Sequence, residues 1–454
     1  MKIIVVGCGK IGSAIIESLV AEGHDITAVD INQSVINDTN NIYDVMGVCG
    51  NAVDYDILNE AAAETAELLI SVTNSDEVNM LVCYIAKKMG AKYTVARVRN
   101  PEYNDKRLGK VKQYLDLSLT INPELLAAQE IFNMIKLPAA FKIETFSHRS
   151  FEMVELVLKD GSELVGTSLM ALRKKYKANF LISIVKRGEE VYIPDGNFEL
   201  QIGDRICIIA NYTEIQKLLK MLALAKKQAK TVMILGASKT SYYLAKMLLR
   251  SGNNVKIIEK DIENCEKFAE LLPGAVIING DGTEQEVLLE EGINDVDVFT
   301  ALTGIDEENI LVSCFANSKD ISRVITKVNR GELVSMAENL GLESVISPKH
   351  AVSNVITSYA RALRNSLGSN VETLYKLMDG KAEALEFKVQ PDFKYKNIPL
   401  KDMKLKKDVL IAGIIRKRMA FIPSGDDEII AGDKVVVIAK ATEQKMDDLS
   451  DIMR

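Results

Sequence analysis

The chain of 454 residues contains one long unit twice, and this duplication restricts the possible fold more than any other feature. The glycine-rich segment Gly7–Gly12 (GCGKIG) has a counterpart 229 residues later, at Gly236–Ser241 (GASKTS). Because the spacing hardly changes along the copy, each half is a unit of many elements rather than one turn of a solenoid. Further pairs at nearly the same spacing are Asp30 and Glu259, Gly50 and Gly280, and Gly203 and Gly432.

The overall composition is that of a folded globular protein with several domains. Hydrophobic residues make up 47% of the chain and charged residues 26%, which argues against disorder. The net charge of -7 argues against nucleic acid as a partner, because phosphate binding needs a basic face. No apolar run approaches the ~18 residues that span a bilayer. The opening segment Met1–Val6 runs into a glycine turn, so we expect a strand there rather than a signal peptide.

Strand and helix patterns alternate in the first part of each copy. Short β-branched runs predict strands, and apolar residues at helical spacing lie between them, as in 13–21, 54–62 and 77–89. This alternation predicts a doubly wound parallel sheet in each copy. The predicted strands are Lys2–Val6, Asp25–Asp30, Val45–Val48, Leu68–Thr73 and Tyr93–Val98, and then Thr231–Leu235, Asn254–Glu259, Ala275–Asn279, Val296–Leu302 and Arg323–Val328.

The second part of each copy has a different pattern. Two long amphipathic helices, Leu125–Ile135 and His350–Arg364, are predicted to close the sheet domains. After them we expect a small α+β domain, with a hairpin at Asn179–Val191 in the first copy and a last strand at Asp433–Ala439 in the second. The second small domain is expected to run from about Leu385 to the end.

The predicted fold class is therefore α/β, with two tandem Rossmann-like doubly wound parallel-sheet domains, each followed by a small α+β domain. The expected domains are 1–137, 141–225, 230–365 and 369–454. The Lys-rich segment 223–230 is the expected boundary between the copies.

The segment Gly7–Gly12 fits G-x-G-x-x-G in the setting that this pattern needs: it follows a predicted strand and opens a predicted helix. Gly7 permits the tight turn, Gly9 lets a pyrophosphate approach the backbone, and Gly12 allows the helix to lie close to the strand. The helix N-terminus offers N–H groups to phosphates. Asp30 would accept hydrogen bonds from ribose hydroxyls, and its charge disfavours the 2′-phosphate of NADP. The alternative is a Rossmann turn that binds nothing.

The second glycine loop is degraded. Ser238 replaces the middle glycine, so a side chain stands where the pyrophosphate would pass, and Ser241 replaces the last glycine. Glu259 still offers a carboxylate to a ribose. The sequence leaves open whether this loop binds a nucleotide, a different ligand or nothing. Lys10 and Lys239 occupy equal positions beside the two loops, and each either neutralises a phosphate or is a solvated lysine in the first helical turn.

Other candidate side chains stand at the ends of predicted strands. Thr73-Asn74 and Thr303-Gly304 end the fourth strand of each copy, at the carboxyl edge where ligands bind in open α/β sheets. Arg97 ends the fifth strand, where it would either reach phosphates across the cleft or pair with a nearby carboxylate. Lys327 and Asn329 take the corresponding places in the second copy.

The residues give little support to an enzyme. A dehydrogenase needs a proton donor or acceptor beside the nicotinamide. The three histidines, His24, His148 and His350, fall away from the predicted ligand edge, and Cys8 is expected to be a small buried residue of the loop. Six scattered cysteines without a CxxC indicate reduced thiols with no disulfide or zinc site. We therefore predict no catalytic residue and no metal site, with an NAD-dependent oxidoreductase as the alternative.

Several segments together resemble the Trk potassium-uptake regulatory proteins, although no single motif is specific. The resemblance covers essentially the whole chain and implies two regulator-of-potassium-conductance (RCK) units, each a Rossmann domain with a small C-terminal domain. The segments are the loop Gly7–Gly12, Asp30, Gly50–Val53, Val72–Glu77, Ala96–Tyr103, Leu164–Leu169 and Gly203-Asp204.

This resemblance implies a cytoplasmic, peripheral subunit at the inner face of the cell membrane. Its partner would be a Trk/Ktr-type membrane potassium-translocating subunit, which it would gate as a homo-oligomeric ring, a tetramer of two-unit chains. Family members bind NAD(H), and also ATP or ADP, in the Rossmann cleft. The residues that the resemblance assigns to the first cleft are Gly7, Cys8, Gly9, Lys10, Ile11, Gly12, Asp30, Asn51, Ala52, Thr73, Asn74 and Arg97. Those assigned to the second cleft are Gly236, Ala237, Ser238, Lys239, Thr240, Glu259, Asp281 and Thr303.

Overall fold

The computed structural model describes residues 1–100, 103, 112–136, 142–146, 151–176, 179–222, 229–319, 321–365, 371–378, 380–417, 419–441, 446 and 448–454. These residues form two parallel six-stranded sheets and two antiparallel five-stranded sheets, which confirms the predicted fold class. Most of the expected boundary 223–230 and the residue His148 lie outside the described residues.

The first sheet has the strand order β3-β2-β1-β4-β5-β6, and its strands all pair in parallel. The order reverses between β1 and β4, and the carboxyl ends of these strands form the edge where an open sheet binds its ligand. The strands are β1 Lys2–Val6, β2 Asp25–Asp30, β3 Met46–Cys49, β4 Leu68–Ser71, β5 Tyr93–Arg97 and β6 Leu119–Ile121. The α-helices are Lys10–Ala21, Gln33–Ile42, Tyr55–Glu60, Asp76–Met89 and Pro123–Lys136, with a 3-10 turn at Ala63–Thr65.

The first antiparallel sheet has the order β10-β9-β11-β8-β7 and contains the predicted hairpin. Its strands are β7 Lys142–Phe146, β8 Phe151–Val157, β9 Leu181–Arg187, β10 Glu190–Tyr192 and β11 Arg205–Ala210. The helices of this domain are Leu169–Lys175 and Tyr212–Met221.

The second parallel sheet repeats the first, with the order β14-β13-β12-β15-β16-β17. Its strands are β12 Thr231–Leu235, β13 Asn254–Glu259, β14 Val276–Asn279, β15 Val298–Ala301, β16 Arg323–Lys327 and β17 Val345–Ile346. The helices are Lys239–Arg250, Ile262–Leu271, Gln285–Glu290, Asp306–Asn317, Gly331–Asn339 and Pro348–Asn365, with a 3-10 turn at Ile293–Asp295.

The second antiparallel sheet has the order β18-β19-β22-β20-β21. Its first strand begins at Val371, which lies inside the expected domain 369–454 and before Leu385, from which we expected the small-domain pattern to run. The strands are β18 Val371–Leu377, β19 Ala382–Lys388, β20 Val409–Arg416, β21 Met419–Phe421 and β22 Lys434–Lys440, with 3-10 turns at Leu400–Asp402 and Leu449–Ile452.

The chain divides into two compact units. One unit comprises Met1–Ile135 with Ala229–Thr357 and so contains both parallel sheets. The other comprises Lys136–Gln228 with Ser358–Arg454 and contains both antiparallel sheets. Among the described residues, no helix combines the length and apolar character needed to cross a membrane.

The helix Pro123–Lys136 does not close its own sheet domain as we expected. Its buried residues, which include Ala127, Ile131 and Ile135, belong to the apolar cluster around Val232 and Leu244 of the second parallel-sheet domain. Helical spacing identifies an apolar face, but it carries no information about which sheet the face covers. The helix Pro123–Lys136 of the first copy therefore packs in the apolar core of the second parallel-sheet domain.

Candidate functional site

The first glycine loop is shaped by close approach of backbone groups. Gly7, at the end of β1, has a positive φ of +89°, and a Cβ there would lie 2.9 Å from the backbone N of Thr73. A Cβ at Gly12 would lie 1.8 Å from the carbonyl oxygen of Gly7, so the helix can start here only without a side chain. Gly9 has open space around it and caps the helix without any side-chain hydrogen bond. The helix N-terminus thus presents its first N–H groups to the cleft without a competing cap.

The Asp30 carboxylate is fixed beside this loop. Its Oδ2 accepts a hydrogen bond from the backbone N–H of Cys8 at 2.8 Å, and its Oδ1 accepts one from the N–H of Asn32 at 2.9 Å. A carboxylate has about four acceptor sites, so about two remain for a ligand. Glu259 makes the same pair of bonds in the second copy, to the N–H groups of Ala237 at 2.6 Å and Asp261 at 2.9 Å.

Sequence reasoning missed Asn79, which organises the edge of the first sheet. Its side chain is fully buried, and Oδ1 accepts hydrogen bonds from the backbone N–H and the hydroxyl of Thr73, both at 2.7 Å. Its Nδ2 donates to the carbonyl oxygen of Arg97 at 3.0 Å. Asn309 makes the same hydrogen bonds to Thr303 and Lys327. The recurrence of an asparagine at the repeat spacing is the sequence signal that could have identified both residues.

Arg97 is a buried cation on the wall of the first cleft. Its side chain is only 6% exposed, and Nη2 donates to the carbonyl oxygen of Thr73 at 2.6 Å and to Oδ1 of Asn74 at 3.4 Å. Among the described residues, its Nε has no hydrogen-bond partner. Burial, and next the charge of Arg99, lower the pKa of the guanidinium, although an arginine keeps its proton at neutral pH. The carboxylates of Glu124 and Asp76 compensate this buried charge in part, and an anionic ligand would add to that compensation.

The first cleft has a volume of about 760 Å³, within the range of small-molecule sites. Ten of the twelve predicted residues line it: Gly7, Gly9, Lys10, Ile11, Asp30, Asn51, Ala52, Thr73, Asn74 and Arg97. Cys8 and Gly12 do not line it and instead form the packed underside of the loop. Its basic side chains are Lys10, Arg97, Arg99, Lys327 and Lys349, and its carboxylates are Asp30 and Glu124.

The far wall of the first cleft comes from the second parallel-sheet domain. Thr240, predicted with the second cleft, lies against the first one together with Lys327. Thr240 lies here because of the direction of the helix Lys239–Arg250. Tyr243 is one turn after Thr240 and lies on the same face of this helix. The hydroxyl of Tyr243 donates to the carbonyl oxygen of Arg99 at 3.0 Å, which holds this face against the first sheet domain.

The second cleft is smaller, with a volume of about 320 Å³. Its lining includes the predicted residues Gly236, Ala237, Ser238, Glu259, Asp281 and Thr303. Lys239 is exposed and lines neither cleft. Within the described residues, no group of three or more His, Cys, Asp or Glu side chains is arranged to hold a metal ion.

Comparison with known proteins identifies the family. A model of the TrkA-N domain matches residues 3–112 and 232–348, and a model of the TrkA-C domain matches residues 153–223 and 384–449. The Trk system potassium uptake protein TrkA homolog of Archaeoglobus fulgidus is 33% identical over 451 residues, covering 99% of this chain and 100% of the relative. The chain belongs to the TrkA family. The resemblance drawn from the sequence is thereby confirmed.

A further relative and two solved structures are also similar to this chain. The TrkA protein of Vibrio alginolyticus is 30% identical over 444 residues, covering 96% of this chain and 93% of the relative. The crystal structure of the GsuK RCK domain superimposes with a TM-score of 0.64 at 15% identity, covering 97% of this chain and 92% of that chain. The GsuK channel bound to NAD gives a TM-score of 0.63 at 15% identity, covering 97% and 77%. At this identity the likeness establishes the fold.

Cys8 is expected to be chemically inert in the native TrkA-family protein. Burial, and next the charge of Asp30, raise the pKa of its thiol to about 12. At pH 8 only about one thiol in 10⁴ would then be ionised, and the thiolate is the reactive form. Mass spectrometry after mild treatment with iodoacetamide should find Cys8 unmodified until the protein is unfolded. Rapid alkylation of Cys8 in the native protein would show that the loop opens in solution.

Proposed function

We propose that this chain is a nucleotide-binding regulatory subunit of a Trk-type potassium uptake system. The observation that carries the proposal is the first cleft, which is lined together by an uncapped helix N-terminus, the fixed Asp30 carboxylate and the side chain of Arg97. This combination suits a ligand with a ribose at one end and phosphates at the other. The family membership of the chain supplies the link to potassium uptake.

The ligands proposed for this cleft are NAD(H), ATP and ADP. The ribose hydroxyls would bind the free acceptor sites of Asp30, and the phosphates would lie over Gly9, close to the Nζ of Lys10 and the guanidinium of Arg97. GsuK structures with bound NAD and with bound ADP support the choice, since those chains have the same fold. The Asp30 charge would disfavour NADPH relative to NADH, because it repels a 2′-phosphate.

The first cleft offers a physical route to regulation. Its walls come from both parallel-sheet domains, so a ligand that touches Arg97 on one side and Lys327 on the other stabilises one relative arrangement of the two. A ligand shifts an equilibrium only by its different affinity for the two states. Nucleotides of different length and charge would bind the two arrangements unequally. We propose that this difference gates a membrane potassium-translocating subunit, and that the chain acts in the cytoplasm at the membrane as a ring of four copies.

The nucleotide part of the proposal is tested by titration calorimetry with NADH, NADPH, ATP and ADP. In Asp30→Ala the affinity for NADH should fall about 10- to 100-fold, because hydrogen bonds to a charged acceptor contribute about 1.5–3 kcal/mol. The matched control is Asp30→Glu, since the second copy has Glu259 there with the same two backbone bonds. Asp30→Glu should bind NADH within about fivefold of the wild type. Equal binding by Asp30→Ala and the wild type would exclude this cleft as the site.

The regulatory part needs a separate measurement. Potassium uptake by cells that contain the membrane subunit but lack their own regulatory subunit should be restored by the wild type and reduced by Asp30→Ala. The alternative, an oxidoreductase, predicts oxidation of NADH with a panel of carbonyl compounds. Tyr242 and Lys246 have the spacing of a dehydrogenase pair, but Tyr242 is buried among the apolar residues of the second sheet domain, and neither residue lines either cleft.

A further inference from the structure

We propose that the second cleft is a nucleoside site, which takes a ribonucleoside without a pyrophosphate. The inference rests on the proposed function for one point only, namely that the carboxylate at the end of the second strand faces the ribose. The two clefts are built by equivalent elements, so each difference between them can be assigned to one part of a nucleotide. The part that binds a ribose is retained, and each part that would bind phosphate is lost.

The retained part is the carboxylate and the strand edge beside it. Glu259 is anchored by two backbone N–H groups, which leaves about two of its acceptor sites for the hydroxyls of a ribose. Thr303 is held by the buried Asn309 through its backbone N–H at 3.0 Å and its hydroxyl at 2.8 Å, as Thr73 is held by Asn79. Apolar side chains of Leu235, Ile258 and Leu302 line the same cavity and would contact a base.

The helix N-terminus of the second loop is already satisfied by a side chain. The hydroxyl oxygen of Ser238 accepts a hydrogen bond from the backbone N–H of Ser241 at 3.2 Å, and the hydroxyl of Ser241 donates to the carbonyl oxygen of Gly236 at 2.6 Å. A phosphate would have to displace this cap in order to reach the N–H groups. In the first loop the corresponding residues are Gly9 and Gly12, which have no side chain to compete.

The charges of the second cleft also oppose phosphate. Its lining has the carboxylates of Glu259, Asp281 and Glu308 against one basic side chain, Lys260. Hydrogen bonds from the backbone N–H and the hydroxyl of Thr283 lower the pKa of Asp281, so this carboxylate stays ionised. In the first cleft five basic side chains outnumber two carboxylates. A pyrophosphate in the second cleft would therefore add negative charge beside uncompensated carboxylates.

Arg97 has no counterpart in the second cleft. Lys327 holds the equivalent place in the sequence, but it lines the first cleft, and its Nζ donates to the carbonyl oxygen of Leu302 at 3.2 Å. The smaller volume of the second cleft agrees with the loss of the phosphate half: about 320 Å³ against about 760 Å³. The retained carboxylate, the capped helix and the missing cation all favour a ligand that ends at the ribose.

The test is calorimetric titration of the full chain carrying Asp30→Ala, which weakens the first cleft, with adenosine, AMP and ADP. Adenosine should bind with one site per chain, and each added phosphate should weaken binding about five- to tenfold. In Ser238→Gly with Ser241→Gly, which recreates the first loop, ADP should gain at least about tenfold relative to adenosine. ADP binding at this site as tightly as adenosine would overturn the proposal.

Two further variants assign the signal to the second cleft. Glu259→Ala should abolish adenosine binding, and Gly304→Leu should do so without removing any contact of the fold, because a Cβ there meets no atom within 4 Å. Adenosine binding that survives both variants would also overturn the proposal. The Glu259→Ala protein with an intact Asp30 tests the first cleft separately. If this variant lost NADH binding, the proposed function would be contradicted, whether or not the variant binds adenosine.

Discussion

Substitution Gly12→Ala is expected to weaken NADH binding in the first cleft at least about 100-fold and to destabilise the domain by about 3 kcal/mol. The added Cβ would lie 1.8 Å from the carbonyl oxygen of Gly7, and a backbone atom cannot move aside as the end of a side chain can. The helix Lys10–Ala21 must therefore retreat from the turn, which moves its N–H groups away from the phosphates. Calorimetric titration with NADH and urea unfolding would measure the two effects.

Substitution Gly9→Ala is the matched control, because a Cβ at Gly9 meets no protein atom within 4 Å. Its cost in stability should stay below about 1 kcal/mol, the usual difference between Gly and Ala at a helix N-cap. The methyl group would nevertheless stand in the space through which a phosphate approaches the helix, so NADH affinity should still fall about tenfold. Normal NADH binding by both variants would mean that the nucleotide does not use this loop.

The second loop tolerates a side chain at the position that corresponds to Gly12. Ser241 occupies the place of Gly12, and its hydroxyl bonds to the carbonyl oxygen of Gly236 at 2.6 Å instead of colliding with it. The second loop thus accommodates a side chain where the first does not. The other elements of the two copies correspond. The second loop therefore shows what the fold alone requires at this position, and the first loop shows what a bound pyrophosphate requires in addition.

The strands that lead into the clefts were predictable from the sequence because short β-branched runs beside glycine turns are local signals. The predicted bounds of β1, β2, β12 and β13 agree with the structure. The helices Gln33–Ile42 and Ile262–Leu271 were not predicted, although the sequence carries a signal for both. Their starts are marked by side-chain caps, in which Asn32 accepts from the N–H of Ser34 and Asp261 from that of Asn264.

Only part of the lining of the first cleft could be predicted from the sequence. Motif reasoning assigns each residue to its own copy, so it found the loop, Asp30 and Arg97 but not the wall formed by Lys327 and Lys349. That wall exists because the helix Pro123–Lys136 packs against the other sheet domain and because Tyr243 bonds back to Arg99. Both are contacts across more than one hundred residues, which neither periodicity nor a motif encodes.

Substitution Asp204→Ala is expected to destabilise the first antiparallel-sheet domain by about 2–3 kcal/mol, because it removes a buried charged acceptor of hydrogen bonds whose cationic partner is partly exposed. Asp204 is fully buried and accepts two hydrogen bonds of 2.8 Å from Nε and Nη2 of Arg187. It also accepts one from the backbone N–H of Gln201 at 2.8 Å. The loss removes the acceptor of the Gln201 N–H and the charged acceptor of the guanidinium, which keeps its hydrogen bond to the carbonyl oxygen of Glu199. Hydrogen–deuterium exchange of the β9 and β11 amides would report the change locally, as a chain with several domains requires.

Asp433→Ala provides an internal replicate, because Arg416 makes the same two bonds to Asp433 at 3.0 and 2.8 Å. Its effect should be of similar size but confined to β20 and β22. The double variant Arg187→Met with Asp204→Leu should recover part of the loss, since an apolar pair leaves no buried charge. Costs below about 1 kcal/mol in both single variants would instead identify the pairs as solvated contacts of the kind found on protein surfaces. The Gly-Asp pair near the end of each copy would then be needed for the turn that it forms and not for the charge of its aspartate.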